Sequence, residues 1–284
     1  MKKSWLFGKT VIITGASGGL GLNIARLLIS LYNCKVIGVC RSEQRARAAA
    51  ESLGTLSANF SYRLFDVAVK ENWKEFSRYL EENGIVPDVL INNAGFMLPF
   101  KKFEHISEEE AQEITATNFS AVVTGTAALI PAIKKSQSPA IINVASAAGL
   151  TAVVGESMYC ATKFAVRGFT ETLIQEYLGK IYVAGVYPGF IRTDILRRMT
   201  ITDKENRLIS RLMMPAEKAA KKIVRGIAKR KKRMVMGVDG RSMWFFSRLF
   251  PRLTPRIITK VLKISGLDMF SEVFGEETEN TAGK

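Results

Sequence analysis

A chain of 284 residues, 47% hydrophobic and 24% charged, suits one large domain or two small ones and excludes a disordered or fibrous protein. Its three cysteines, Cys34, Cys40 and Cys160, form no CxxC pair, which excludes a disulfide scaffold and fits reduced thiols in a cytosol. The net charge of +15 is uneven: residues 197–263 carry 20 basic and 4 acidic side chains, whereas residues 1–196 carry 20 and 17.

The opening "MKKSWLFGKTVIITG" is not read as a signal peptide. Lys9 interrupts its apolar run, and the residues that follow make a strand and a phosphate loop. No apolar run is expected to reach the roughly 18 to 20 residues of a membrane-spanning helix. Strands are expected at 10–14, 35–40, 60–65, 88–91, 140–145 and 181–187. Several are apolar on both faces, as in a parallel sheet covered by helices on each side. Helical spacing falls near 20–31, 43–53, 69–82, 107–136 and 157–178. The expected fold class is α/β: a single Rossmann-like, doubly wound parallel sheet with helices on both faces, plus a C-terminal helical extension. The expected division is a catalytic domain over 1–240, a basic amphipathic extension over 241–270 and a polar, disordered tail over 271–284.

"TGASGGLG", Thr14 to Gly21, lies between the first strand and the first helix. Glycines let backbone N–H groups approach a pyrophosphate at a helix N-terminus, so Gly15, Ser17, Gly18, Gly19, Leu20 and Gly21 are candidate cofactor contacts. An acidic residue commonly ends the second strand to hold the ribose of NAD. Here that strand ends "GVCRS": Cys40 takes the acidic position and Arg41 follows, offering a guanidinium to a 2′-phosphate. The expected cofactor is NADP(H), preferred over NAD(H).

In "SMYCATKFAVRGF", Tyr159 and Lys163 lie four apart and share one helix face. An adjacent cation stabilises a phenolate and lowers the tyrosine pKa, which would make a proton donor. No His/Cys/Asp cluster suggests a metal. The lone His105, in "FEHISEEE", reads as a loop or helix-entry residue.

Taken in order, these motifs resemble the short-chain dehydrogenase/reductase family from about residue 8 to 236. "TGASGGLG" matches its TGxxxGxG loop. "NNAG" at 92–95 matches its fourth-strand motif, Asn118 its helix asparagine, and "YPGFIRT" at 187–193 its turn near the nicotinamide. Ser146 precedes Tyr159 by 13 residues, the family's catalytic spacing. One departure is Gly18, where NADP-dependent members often carry a basic residue. The resemblance implies that Asp66, with Val67 beside it, contacts adenine. It extends the cofactor set to Asn93, Ala94, Gly95, Pro188, Gly189 and Thr193, together with Tyr159 and Lys163. Tyr159 would donate a proton to a substrate carbonyl oxygen and Ser146 would hydrogen-bond the same oxygen. Lys163 would lower the tyrosine pKa and hold the nicotinamide ribose, and Asn118 would hold a water leading from Lys163 to solvent. The implied reaction interconverts a ketone or aldehyde and an alcohol.

The C-terminal third holds two further features. "KRKKR", 229–233, reads as a localisation signal, a nucleic-acid patch or a solvated run before an edge strand. Projected as one helix, residues 241–264 put Arg241, Arg248, Arg252, Arg256, Lys260 and Lys263 on one arc. Phe246, Phe250, Leu253, Ile257 and Val261 fall opposite, and Pro251 and Pro255 are expected to split the segment. That composition suits an anionic membrane surface or packing over a pocket or partner. Nucleic acid is disfavoured, because the aromatics are not interleaved with the charges. The expectation is a cytoplasmic homodimer or homotetramer, with membrane attachment and packing both open for 241–264, acting on a lipophilic carbonyl or alcohol through a pocket lined by 96–104 and 190–214; a reductase of a small soluble carbonyl and a non-catalytic NADP(H)-binding protein are the alternatives.

Overall fold

The computed structural model describes residues 4–193, 195, 202, 205 and 213–275. Strands and helices alternate from the start: β1 (Thr10–Thr14), α1 (Gly19–Tyr32), β2 (Lys35–Cys40), α2 (Glu43–Leu53), β3 (Phe60–Leu64), α3 (Lys70–Glu82) and β4 (Val89–Asn92). Next come α4 (Glu108–Thr115), a π-helical turn (Ala116–Ser120), α5 (Ala121–Ile133), β5 (Ala140–Val144), α6 (Ser157–Glu176) and β6 (Tyr182–Pro188). The chain then runs through the short pair β7 (Ile191–Arg192) and β8 (Met214–Pro215), α7 (Ala216–Ala228) and β9 (Arg233–Met236). It closes with α8 (Val238–Leu249), α9 (Leu253–Ser265) and α10 (Ser271–Phe274). Seven strands form one parallel sheet in the order β3-β2-β1-β4-β5-β6-β9. The order reverses between β1 and β4, which opens a crevice at the carboxyl ends of the strands.

Alternate strand residues feed two apolar layers, as a period of two requires. Val11, Ile13 and Val36 pack with Ile24 and Leu28 of α1 and with Ile223 and Ile227 of α7. Ile12, Leu90 and Ile141 face the other way, onto Trp73 and Leu80 of α3, Leu129 of α5 and Leu173 of α6.

The single helix expected at 107–136 is interrupted. A capping box between Ser107 and Glu110 starts α4, and the π turn then shifts the register around Asn118 before α5 resumes. Contrary to the sequence expectation, the stretch Glu108–Ile133, π turn included, is long and apolar enough, by length and composition, to cross a membrane. Here α5 lies against the sheet layer. Gly125 is pressed so closely on Trp73 that a Cβ there would stand 2.7 Å from the indole ring.

The basic run at 229–233 leads into the edge strand β9, which Arg233 opens, and is partly engaged. The Arg230 guanidinium stacks 4.4 Å from the Trp5 ring centroid, and Arg233 pairs with Glu171.

Three C-terminal expectations change. The boundary at 240 falls inside α8, because Met243 and Trp244 pack inward on the catalytic unit. The expectation of a tail from 271 is corrected: Phe270 and Val273 bury against Phe100 and Gly155, so the chain is held through α10. Residues 276–284 lie outside the described residues. Of the two prolines, only Pro251 breaks the helix; Pro255 sits in the first turn of α9, where its missing N–H costs nothing. Within α9 the basic row stands one residue before the apolar row, so the two run side by side about 100° apart and not on opposite faces.

Candidate functional site

The crevice at the switch point is one cavity, with a glycine loop at one end and apolar walls at the other. Its lining includes Gly15, Ser17, Gly18, Gly19, Leu20, Asn93, Ala94, Gly95, Ser146, Tyr159, Lys163, Pro188, Gly189 and Thr193. Thus fourteen of the sequence-predicted residues meet around a single space.

The loop is held by strand β4. Thr14 Oγ1 accepts from the Asn93 and Ala94 amides at 2.9 Å each, and Asn93 Nδ2 donates to Thr14 O at 2.9 Å. Gly15 and Gly19 have φ of +67° and +50°, the left-handed region that glycine enters without strain. Gly21 is not on the wall; it packs behind the loop, where a Cβ would stand 2.3 Å from the Gly15 carbonyl oxygen. This leaves free N–H groups at the start of α1 facing the cavity, a cradle of the kind that binds pyrophosphate.

The catalytic side chains arise from β5 and α6. Ser146 follows β5, and its Oγ accepts from the Ala148 amide at 3.1 Å. The same hydroxyl stands near the Tyr159 phenol and favours its ionised form. Lys163 lies one turn further along α6, with Nζ 5.6 Å from the Tyr159 ring centroid and donating to Val144 O at 3.3 Å. Asn118 is fully buried beneath this group. Its amide is committed to Phe96, Oδ1 accepting from the backbone N at 3.0 Å and Nδ2 donating to the backbone O at 2.9 Å. A Cβ on Gly95 would stand 3.0 Å from Asn118 Oδ1 and 3.3 Å from Lys163 Nζ, so Gly95 brings the two side chains to one point. The π turn places Asn118 there, in keeping with the occurrence of such bulges at functional sites.

The electrostatics differ from the sequence expectation. Burial, not Lys163, dominates Tyr159: it raises the phenol pKa above its usual value, and the nearby Ser146 hydroxyl opposes that only in part. Burial also lowers Lys163 to about 8, because a buried ammonium loses its hydration. The phenol therefore keeps its proton at neutral pH, the state a general acid needs. The ammonium retains its charge below about 8.

Sequence reasoning missed three neighbours. Arg45, on the first turn of α2, lines the cavity beside Ser17 and Gly18; its spacing of four from Arg41 was the available signal. Asp239 Oδ2 accepts from the Phe190 amide at 2.6 Å and fixes the turn after β6. Glu156, three residues before Tyr159, is buried, and neither carboxylate oxygen has a hydrogen-bond partner; burial pushes its pKa well up. No sequence pattern marked Asp239 or Glu156.

Arg41, Asp66 and Val67 lie beyond the cavity wall, at the ends of β2 and β3. Arg41 leans on Asp66, with 3.8 Å between charged atoms, both exposed to solvent. Asp66 Oδ1 accepts from the Ala68 amide at 2.9 Å. The substrate end is lined by Phe96, Met97, Phe100, Val153, Ile195, Met213 and Met243. This includes parts of the expected 96–104 and 190–214 segments; most of 194–212 lies outside the described residues.

The chain belongs to the short-chain dehydrogenase family, whose model matches residues 9–204. It is 32% identical to the Mycobacterium tuberculosis protein SadH over 268 residues, covering 88% of this chain and 94% of that one. An NADPH-dependent pterin aldehyde reductase from Arabidopsis thaliana is 30% identical over 188 residues, 66% of this chain and 77% of the relative. A short-chain dehydrogenase/reductase from Burkholderia phymatum, solved in complex with NAD, superposes with a TM-score of 0.73 at 23% identity, covering 82% of this chain and 90% of that one. The protein is thus an oxidoreductase that binds a nicotinamide cofactor, and the glycine cradle with its free amides fits the cofactor's pyrophosphate.

Proposed function

We propose that the protein is an NADP(H)-dependent reductase of lipophilic ketones or aldehydes, reversible as an alcohol dehydrogenase. The observation that carries this is that Ser146, Tyr159 and Lys163 line one cavity, with Lys163 Nζ 5.6 Å from the Tyr159 ring, where a phosphate cradle meets an apolar wall. The nicotinamide supplies the hydride when bound. Ser146 and Tyr159 direct two hydroxyl groups at one substrate oxygen, and Tyr159 donates its proton as negative charge develops there. Lys163 stabilises the phenolate that remains and holds the nicotinamide ribose. Asn118 fixes the 95–96 backbone against Lys163.

Two features favour a 2′-phosphate. No carboxylate ends β2, since buried Cys40 stands there. Two guanidinium groups, Arg41 and Arg45, follow within one helical turn, and Arg45 reaches the cavity wall. A lipophilic substrate is favoured because the walls away from the loop are Phe, Met, Val and Ile. A small soluble carbonyl substrate is the second reading, and the name of the pterin aldehyde reductase relative supports it.

The test is NADPH oxidation by purified protein against steroid, long-chain acyl and short-chain ketones, repeated with NADH. The expected result is higher kcat/KM for the lipophilic ketones, and for NADPH over NADH. Better turnover of short-chain carbonyls overturns the substrate reading, better use of NADH overturns the cofactor reading, and no turnover of any carbonyl by a protein that binds NADPH leaves a non-catalytic dinucleotide-binding protein.

A further inference from the structure

The helix pair α8 and α9 leaves a ridge of large apolar side chains in water. Phe245, Phe246, Leu249 and Phe250 in and just after α8, and Leu253, Ile257, Val261 and Ile264 in α9, are all about half or more exposed. Singly exposed apolar residues are ordinary; eight on two consecutive elements are not.

Their placement has an order. In α9, Leu253, Ile257 and Val261 repeat every four residues along the outer face. Arg252, Arg256 and Lys260 repeat at the same spacing one residue earlier, so they form a parallel row offset by about 100°. Thr254 and Leu262, one residue later, turn inward; Thr254 is buried and Leu262 packs with Phe100 and Phe270. The same three rows recur in α8: Arg241 and Arg248 beside Phe245 and Leu249, with Met243 and Trp244 turned inward. Residues 238–265 hold six basic side chains and one acidic one, Asp239, and Asp239 is spent on the Phe190 amide.

From this layout we propose that α8 and α9 seat the protein on an anionic lipid surface, lying in the interface without crossing it. An apolar strip bordered by a basic row on the same outward side is what such a surface requires: the strip enters the acyl boundary while the adjoining guanidinium and ammonium groups meet the headgroups. The charge argues against a second copy of this chain as the occupant, because two ridges of the same sign would be brought face to face. Helix α8 also ties the ridge to the reaction site: Met243, on its inner row, lines the catalytic cavity, and Gly240 packs on Gly189. A substrate dissolved in the bilayer would meet the cavity at the helix that touches the lipid.

The experiment is co-sedimentation of the full-length protein with phosphatidylcholine vesicles and with mixed phosphatidylcholine–phosphatidylserine vesicles, at low and high salt, with analytical ultracentrifugation of the lipid-free protein. Wild type should pellet with the mixed vesicles, and high salt should reduce this. The variant Phe245→Ser/Leu249→Ser/Ile257→Ser/Val261→Ser should lose binding by about tenfold or more while keeping its Tm and NADPH affinity, because these side chains support no buried layer. The variant Arg248→Gln/Arg256→Gln/Lys260→Gln should lose the preference for phosphatidylserine and the salt dependence. Wild type remaining in the supernatant with mixed vesicles at low salt overturns the proposal. So does a four-serine variant that changes the oligomeric state without changing vesicle binding, which would make the ridge a contact between copies. Neither readout depends on catalysis, so failure here is distinct from failure of the reductase reading.

Discussion

The sheet and the C-terminal helix pair carry similar side chains and use them oppositely. Ile12, Leu90 and Ile141 are fully buried, whereas Phe245, Leu249, Ile257 and Val261 are 49–60% exposed as a group with their neighbour Phe246. Composition does not separate the two regions; neighbours do. A parallel strand has a helix layer on each face, so every position is covered. A helix laid on the rim of the domain is covered along one row only, and its remaining faces answer to whatever lies outside. The apolar residues of the sheet therefore hold the fold and position the site, while those of the ridge contribute little to folding.

That contrast can be broken most strongly at the site itself. Tyr159→Phe should lower turnover by about 10² to 10⁴-fold, the usual contribution of a positioned proton donor, and leave NADPH affinity within a factor of about two, read by stopped-flow and fluorescence titration. Lys163→Ala should reduce both. Near wild-type turnover in Tyr159→Phe would refute the mechanism.

Next come paired truncations, one from each region. Leu90→Ala, in the centre of the sheet, should cost about 2–5 kcal/mol by urea denaturation. Ile257→Ala, on the ridge, should change stability by no more than about 0.5 kcal/mol. Equal costs would show that the ridge is packed against something in the folded protein.

Changing Arg41→Asp together with Arg45→Glu should shift the ratio of kcat/KM for NADPH over NADH toward NADH by about tenfold or more, corresponding to about 1.4 kcal/mol. The change removes counter-charge for a 2′-phosphate and adds acceptors for ribose. An unchanged ratio would place cofactor choice elsewhere.

The smallest effect concerns Glu156. Its folded pKa is raised above the usual 4.5 by burial, so between those two values the folded state holds a proton that the unfolded state has released. Stability should therefore fall as pH rises above about 4.5. Glu156→Gln removes this titration. Its Tm should approach that of wild type near pH 4 and exceed it at pH 8 by about 2–4 °C, the response of a domain this size to about 1 kcal/mol. A variant less stable than wild type at pH 8 would mean that the carboxylate is ionised and paired.

Much of this was legible beforehand because it depends on short spacings. All six expected strands are present, with ends shifted by one residue at most, since apolar runs bounded by turns are a local signal. The Ser146–Tyr159–Lys163 set and the glycine loop were legible for the same reason. Glu156 was not, because nothing in a pre-helical glutamate says which cavity it will reach, and Arg45 offered only its spacing of four from Arg41.

The sequence by itself determined the alternation of strand and helix, the phosphate loop, the phenol–ammonium spacing and the concentration of positive charge, all of them properties of residues within a few positions of each other. Tertiary structure alone decided three things. Burial outweighs the lysine in setting the Tyr159 pKa. Asn118 is held beneath Gly95 by a π turn. Arg45 joins the cavity and Arg41 leans on Asp66. Each depends on desolvation, or on a contact between segments far apart in the chain.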